Sequence, residues 1–159
     1  MAGPHASILF NKRLTGVETA EIKKYIADRS TEVEDDYFWI HEHPFSMTLG
    51  PEFDDDLKEY DENGTAKVIE WSPLDIVTLS ALCDSQRDHL ILGEICYSLA
   101  ERYSGLVDFH GKLDLPDFSF PGELYVIDHS VDDRFFSFHI GDAQFLKAWI
   151  KSDRFKMIK

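Results

Sequence analysis

The sequence predicts an α+β fold: a single domain spanning residues 1–159, a mostly antiparallel sheet with about three helices packed against it. Three observations predict it. Apolar or small residues at Leu92, Ile95, Cys96, Leu99, Ala100 and Tyr103 recur at helical spacing, so one long helix has a single buried face. Short β-branched and aromatic runs bounded by turn residues occupy most of the remaining chain. No internal repeat, low-complexity tract or long Pro/Gly/Ser linker divides the 159 residues, a length that buries about two-thirds of the unfolded surface.

Taken in order, Ser7–Lys12 reads as a first strand. Thr15 and Glu18 have capping-box spacing, each able to satisfy the other's backbone N–H, and a helix to about Arg29 would bury Val17, Ile22, Tyr25 and Ile26. Glu32–Asp36 is a charged turn before the strand Tyr37–Ile40; Pro44 ends or bends that strand, and Phe45–Leu49 continues as another. The acids of Pro51–Asn63 are too dense to bury and predict a surface loop or frayed edge hairpin. Asn63-Gly64 is a tight-turn signal, with strands expected over Ala66–Trp71 and Leu74–Leu82. The long helix follows, capped by Ser85 or Asp88, with Gly105 as its left-handed stop, and Leu106–Phe109 is a strand. After a loop over 112–121, Glu123–Asp128 and Arg134–Ile140 form a hairpin around His129–Asp133. Asp142 caps a helix to Ser152 with Phe145, Leu146, Trp149 and Ile150 inward, and Arg154–Ile158 adds a final strand. The expected core includes Leu92, Ile95, Leu99, Phe109, Phe136, Phe138, Phe145 and Trp149.

Composition narrows the function. The formal net charge is -14, and it is uneven: Glu32 to Glu62 holds twelve acids against one base, Lys58, whereas Lys147 to Lys159 holds five bases against one acid, Asp153. Such a surface repels phosphate backbones, which argues against nucleic acid as a partner, and its electrostatic complement is a basic protein. The opening MAGPHASILF lacks the basic and long apolar regions of a leader, and no apolar run approaches the ~20 residues that span a bilayer. Cys83 and Cys96 are too few for a disulfide scaffold and read as reduced thiols, so a cytoplasmic protein with no membrane partner is expected.

No cluster of residues demands a particular reaction. On a strand His41 and His43 would face the same way and could meet one metal ion, but no third ligand is evident. Asp54–Asp56 with Asp61–Gly64 is acidic enough for calcium, yet its glycine follows the acids instead of dividing them. Asp128-His129-Ser130 spells a triad, but adjacent residues cannot converge as one, and a turn is expected there. Cys83 with His89 is a conceivable nucleophile and base. Asp88-His89 reads as a cap and a first-turn residue, and Asp108 as a strand residue pointing away from Val107. No phosphate-binding glycine loop is present, so neither cofactor nor metal is expected.

The run Asp88–Glu94, the stretch Leu99–Phe109, and the tail segments Phe145–Ile150 and Arg154–Lys159 together resemble an uncharacterised family of small bacterial proteins, the immunity-like proteins of polymorphic toxin systems. The resemblance implies a non-enzymatic inhibitor that binds a cognate toxin domain; it does not extend to the acidic segment. Charge adds that the toxin is basic, for example a nuclease, and that Glu34, Asp35, Asp36, Asp54, Asp55, Asp56, Glu59, Asp61 and Glu62 are the partner-binding residues. The alternative is a small cytoplasmic hydrolase using surface carboxylates or histidines.

Overall fold

The computed structural model describes residues 3–159; Met1 and Ala2, the first residues of the opening stretch read above, lie outside the described residues. Eight strands form one antiparallel sheet: β1 (His5–Phe10), β2 (Glu32–Glu34), β3 (Tyr37–Ile40), β4 (His43–Leu49), β5 (Asp75–Ala81), β6 (Leu106–Asp108), β7 (Leu124–Val131) and β8 (Arg134–Gly141). Their order is β2-β3-β4-β5-β1-β6-β8-β7, so β1 lies at the centre between β5 and β6. Five helices accompany the sheet: α1 (Gly16–Arg29), α2 (Glu59–Glu62), α3 (Thr65–Ile69), α4 (Gln86–Tyr103) and α5 (Ala143–Ile150).

The α+β class and antiparallel sheet match the expectation, but α2 and α3 exceed the three expected helices. α1, α4 and α5 pack on one face, where Ile8, Phe10, Phe45, Val77, Leu79 and Val107 meet Ile22, Leu92, Leu99, Phe145 and Trp149 in the main core. Both long helices begin as their sequences require: Thr15 with Glu18, and Ser85 with Asp88, form reciprocal capping boxes that satisfy the otherwise orphaned first-turn donors. Asp142 caps α5 through the Phe145 N–H.

The two short helices lie across the opposite face. The chain leaves β4, turns through Asp54–Asp56, and packs Leu57, Tyr60 and Trp71 against Leu9, Ile76, Ile127 and Ile140 in a second core. Residues 51–63 are thus neither a loop throughout nor an edge hairpin: a turn leads into α2. Ala66–Trp71 is not a strand. Gly64 does turn the chain (φ +86), but Asn63 Oδ1 accepts from both the backbone N–H and the hydroxyl of Thr65, and the chain enters α3 instead.

Other local readings also change. Val17 is 69% exposed, outside the buried stripe of α1. Glu32–Glu34 pairs with Tyr37–Trp39 as a strand, leaving Asp35-Asp36 as the turn. β3 ends at a His41-Glu42 turn, not at Pro44, which lies within β4 opposite Trp39. Asp128-His129-Ser130 lies inside β7; the hairpin turns at Asp132-Asp133, both with positive φ, as a two-residue type I′ turn requires. Ser104, not Gly105, takes the left-handed position after α4 (φ 54). Gly105 is needed for proximity: a Cβ there would sit 2.6 Å from Ile8 Cγ2. Arg154–Ile158 forms no strand, although Ile158 C=O accepts from His5 N–H and Phe155 and Met157 are buried. Phe136 and Phe138 project with Ile140 onto the second face. The layer formed by α2 and α3 covers Ile140 and partly Phe138, but Phe136 stays 48% exposed and leaves the predicted core.

Candidate functional site

The nine acids assigned to a partner lie in three stretches of the chain. Glu34 ends β2, Asp35-Asp36 make the β2–β3 turn, and the others lie between Asp54 and Glu62. The first two groups are tied to the exit of β4, since Asp36 C=O accepts from Met47 N–H (2.9 Å) and the acidic stretch begins soon after Leu49. The fold uses few of these carboxylates. Asp55 pairs with Lys58 at 2.7 Å, which holds its carboxyl below the usual range; Asp56 accepts from Phe53 N–H and Asp61 from Ser72 Oγ. Within the described residues Glu34, Asp35, Asp36, Asp54, Glu59 and Glu62 make no side-chain hydrogen bond or ion pair. Asp35 and Asp36 border a groove of about 990 Å³ between α1 and β3–β4, floored by Ile26, Phe38, Met47 and Leu49.

A second concavity, of about 420 Å³, opens where the α2–α3 layer ends on the sheet. Its floor is polar. Asp108, 3% exposed, accepts at Oδ2 from the Tyr60 hydroxyl (2.9 Å) and at Oδ1 from His110 N–H (2.8 Å). Burial and the adjacent Asp108 carboxylate push the Tyr60 phenol far above its ordinary value, so Tyr60 remains a donor. Glu59 stands at the same opening, and His129, Val131, Phe136 and Phe138 form its wall. His5 stacks on His110 with centroids 4.8 Å apart. Burial first, then the His110 charge, lowers the His5 pKa, against an opposing pull from Asp108.

This cluster contains a Ser–His–Asp chain: Ser7 Oγ lies 2.7 Å from His110 Nε2, and His110 Nδ1 lies 3.5 Å from Asp108 Oδ2. The connectivity is that of a nucleophilic triad. Its setting differs. Ser7 is in the central strand, 1% exposed, and shares its hydroxyl with Thr78 Oγ1 at 3.0 Å. A hydroxyl enclosed in this way has no path to a substrate carbonyl.

The remaining candidates are dispersed. His41 is in a turn (φ 51), whereas His43 Nδ1 meets Asp88 at 2.7 Å, so the two imidazoles do not share a strand face. Burial raises the Asp88 pKa, but hydrogen bonds from Ser85 and His43 outweigh it and hold the carboxyl below its ordinary value. His89 does not serve Cys83. Its Nδ1 accepts from Met157 N–H (3.0 Å), so its Nε2–H donates to Asp84 (2.9 Å), fastening the C-terminal tail to α4. The second thiol, Cys96, is buried, which pushes its pKa up to about 12. No group of three or more His, Cys, Asp or Glu among the described residues is arranged to hold a metal ion.

Sequence reasoning missed Ser7, His5, Tyr60 and His110. Two signals pointed toward them: Asp108 alternates with Val107, placing it on the sheet face away from the main core, and Leu57 and Tyr60 are apolar positions at helical spacing within an acidic run. Neither reveals that Tyr60 lands on Asp108, 48 residues away.

No helix among the described residues is long and apolar enough to cross a membrane. No curated protein and no solved structure significantly matches the chain. Residues 2–159 match the model of a family described as a family of unknown function, DUF6368. This match covers all but the first residue, and the chain therefore belongs to the DUF6368 family.

Proposed function

We propose that this chain is a non-enzymatic, cytoplasmic binding protein of the immunity type, which occludes the active site of a basic toxin domain. One observation carries the reading: six carboxylates of the acidic segment stand exposed with no side-chain partner among the described residues. Concentrated like charge gives folding nothing and costs some stability through repulsion. A basic protein would relieve that repulsion and be steered toward it. The groove beside Asp35 and Asp36 adds an apolar floor next to the charge, the mixture found in specific interfaces. The resemblance of the central helix and C-terminal segments to immunity-like proteins supports the same reading.

The test is association kinetics with the product of the neighbouring upstream gene. Reversing Asp54, Asp55 and Asp56 to Lys should slow association and flatten its salt dependence while leaving the fold intact; electrostatic steering of this kind is worth about 10- to 10³-fold in rate. Wild-type association of the triple variant at low salt would remove the acidic segment as the docking surface. The alternative, a small hydrolase using surface carboxylates or histidines, gains nothing from the Ser7–His110–Asp108 chain as it stands, because Ser7 is enclosed. A turnover abolished by both Ser7→Ala and His110→Ala would overturn the binding-only reading.

A further inference from the structure

We infer that the cavity over Asp108 is a receptor for a guanidinium group, and that its occupant is an arginine side chain of the bound protein partner. The partner reading above supplies the source of the arginine; the cavity's affinity for the group stands on its own lining. Two carboxylates face the cavity, Asp108 at its floor and Glu59 at its mouth, and no lysine or arginine lines it. Asp108 is buried; it accepts from the Tyr60 hydroxyl and the His110 backbone, and the His110 ring stands 3.5 Å away, but no lysine or arginine among the described residues pairs with it. A buried carboxylate is costly unless paired, and each oxygen has further acceptor capacity. The walls suit a planar cation. Phe136 is half exposed, and the His129 ring lies 6.4 Å from it at an interplanar angle of 31°. Guanidinium stacks on aromatic faces while its N–H fork addresses carboxylates, whereas an ammonium is a compact, strongly hydrated point charge. A volume of about 420 Å³ accommodates such a side chain. The exposed Phe136 also gains a role: folding leaves it in water, and a stacked guanidinium would cover it.

The cavity can be tested without the partner. In amide-resolved NMR titrations of the full chain, N-acetyl-arginine N-methylamide should produce saturable shifts at His110 and Phe136. The uncharged isostere N-acetyl-citrulline N-methylamide should produce none. Glu59→Gln and Phe136→Ala alter exposed groups and should keep the fold, and each should weaken arginine binding at least about fivefold, as expected for loss of a charge or stacking contact. Asp108→Asn should abolish it, but because Asp108 is structural the two surface variants decide the outcome. Equal shifts from citrulline and arginine, no saturable shifts, or wild-type binding by both surface variants would overturn the assignment. Agmatine binding far more tightly than the blocked arginine would reassign the cavity to a free guanidino compound and overturn the side-chain occupant. Failure of these titrations with a normal effect of the Asp54–Asp56 reversal would remove only the cavity; the converse would remove only the acidic docking surface.

Discussion

The two faces of the sheet are covered in different ways. Toward α1, α4 and α5 the central strands are mainly apolar, with Ala6 and Ile8 of β1 opposite Leu79 and Val77 of β5, and polar residues such as His43 and Asp75 lie toward the strand ends. On the opposite face the same two strands present Ser7 and Leu9 beside Ile76 and Thr78, and the α2–α3 layer covers only part of them. The first face is an ordinary core, where any well-fitting apolar side chain would serve. The second changes within a few ångströms from Leu9, Ile127 and Ile140 to Ser7, Asp108 and His110. Buried polar groups are tolerated only when hydrogen-bonded, and they contribute less to stability than apolar residues of the same shape. Stability therefore resides mainly on the helix face, and the chemistry that needs another explanation lies on the other.

The largest expected effect is on the helix face. Leu99→Ala should destabilise the protein by about 2–5 kcal/mol in chemical denaturation, through lost transfer energy plus a cavity. A loss below about 0.5 kcal/mol, the level of an ordinary surface change, would mean that α4 does not anchor the core. On the opposite face Tyr60→Phe removes one hydroxyl and leaves Asp108 short of a donor, which should cost about 1–3 kcal/mol. In an Asp108→Asn background the same change should cost less, and a double-mutant cycle measures the coupling. Strict additivity would show that the 2.9 Å contact is not a working hydrogen bond.

A smaller effect is set by pH and draws on both faces. His5 on the polar face and His139, whose Nδ1 accepts from Leu113 N–H, both have pKa values lowered from the model-compound value of 6.5, chiefly by burial. The unfolded chain then binds protons more readily than the folded one between the lowered values and 6.5. The stability these groups contribute is full above that value and declines as pH falls below it. Urea midpoints should therefore drop on the acid side, and His5→Gln or His139→Gln should each flatten the drop. A slope unchanged in both variants would exclude them as its source. The smallest effect is at Phe136: alanine there should change stability by less than about 0.5 kcal/mol, because its ring is half exposed. A larger loss would move Phe136 back into the core and close the cavity it borders.

The sequence alone determined what depends on near neighbours. The Thr15 and Ser85 caps, the apolar stripe of α4, β3 over Tyr37–Ile40 and the Asp142 cap each involve groups within a turn or two of one another, and their signals survive folding almost unaltered. The acid imbalance was equally legible, since charge density needs no coordinates. Tertiary structure decided whatever depends on what lies overhead. Phe136, Phe138 and Ile140 read identically as alternating apolar residues, but only the reach of the α2–α3 layer separates a buried isoleucine from an exposed phenylalanine. The Ala66–Trp71 run has strand composition, but Asn63 and Gly64 turn it into α3 and place it across the second face. The cluster of Ser7, Tyr60, Asp108 and His110 has no local signature, because its members come from β1, α2 and the end of β6, brought together by strand register and a hydrogen bond spanning 48 residues. Hydrophobic period reports which side of an element faces inward; it carries no information about which distant polar group waits there.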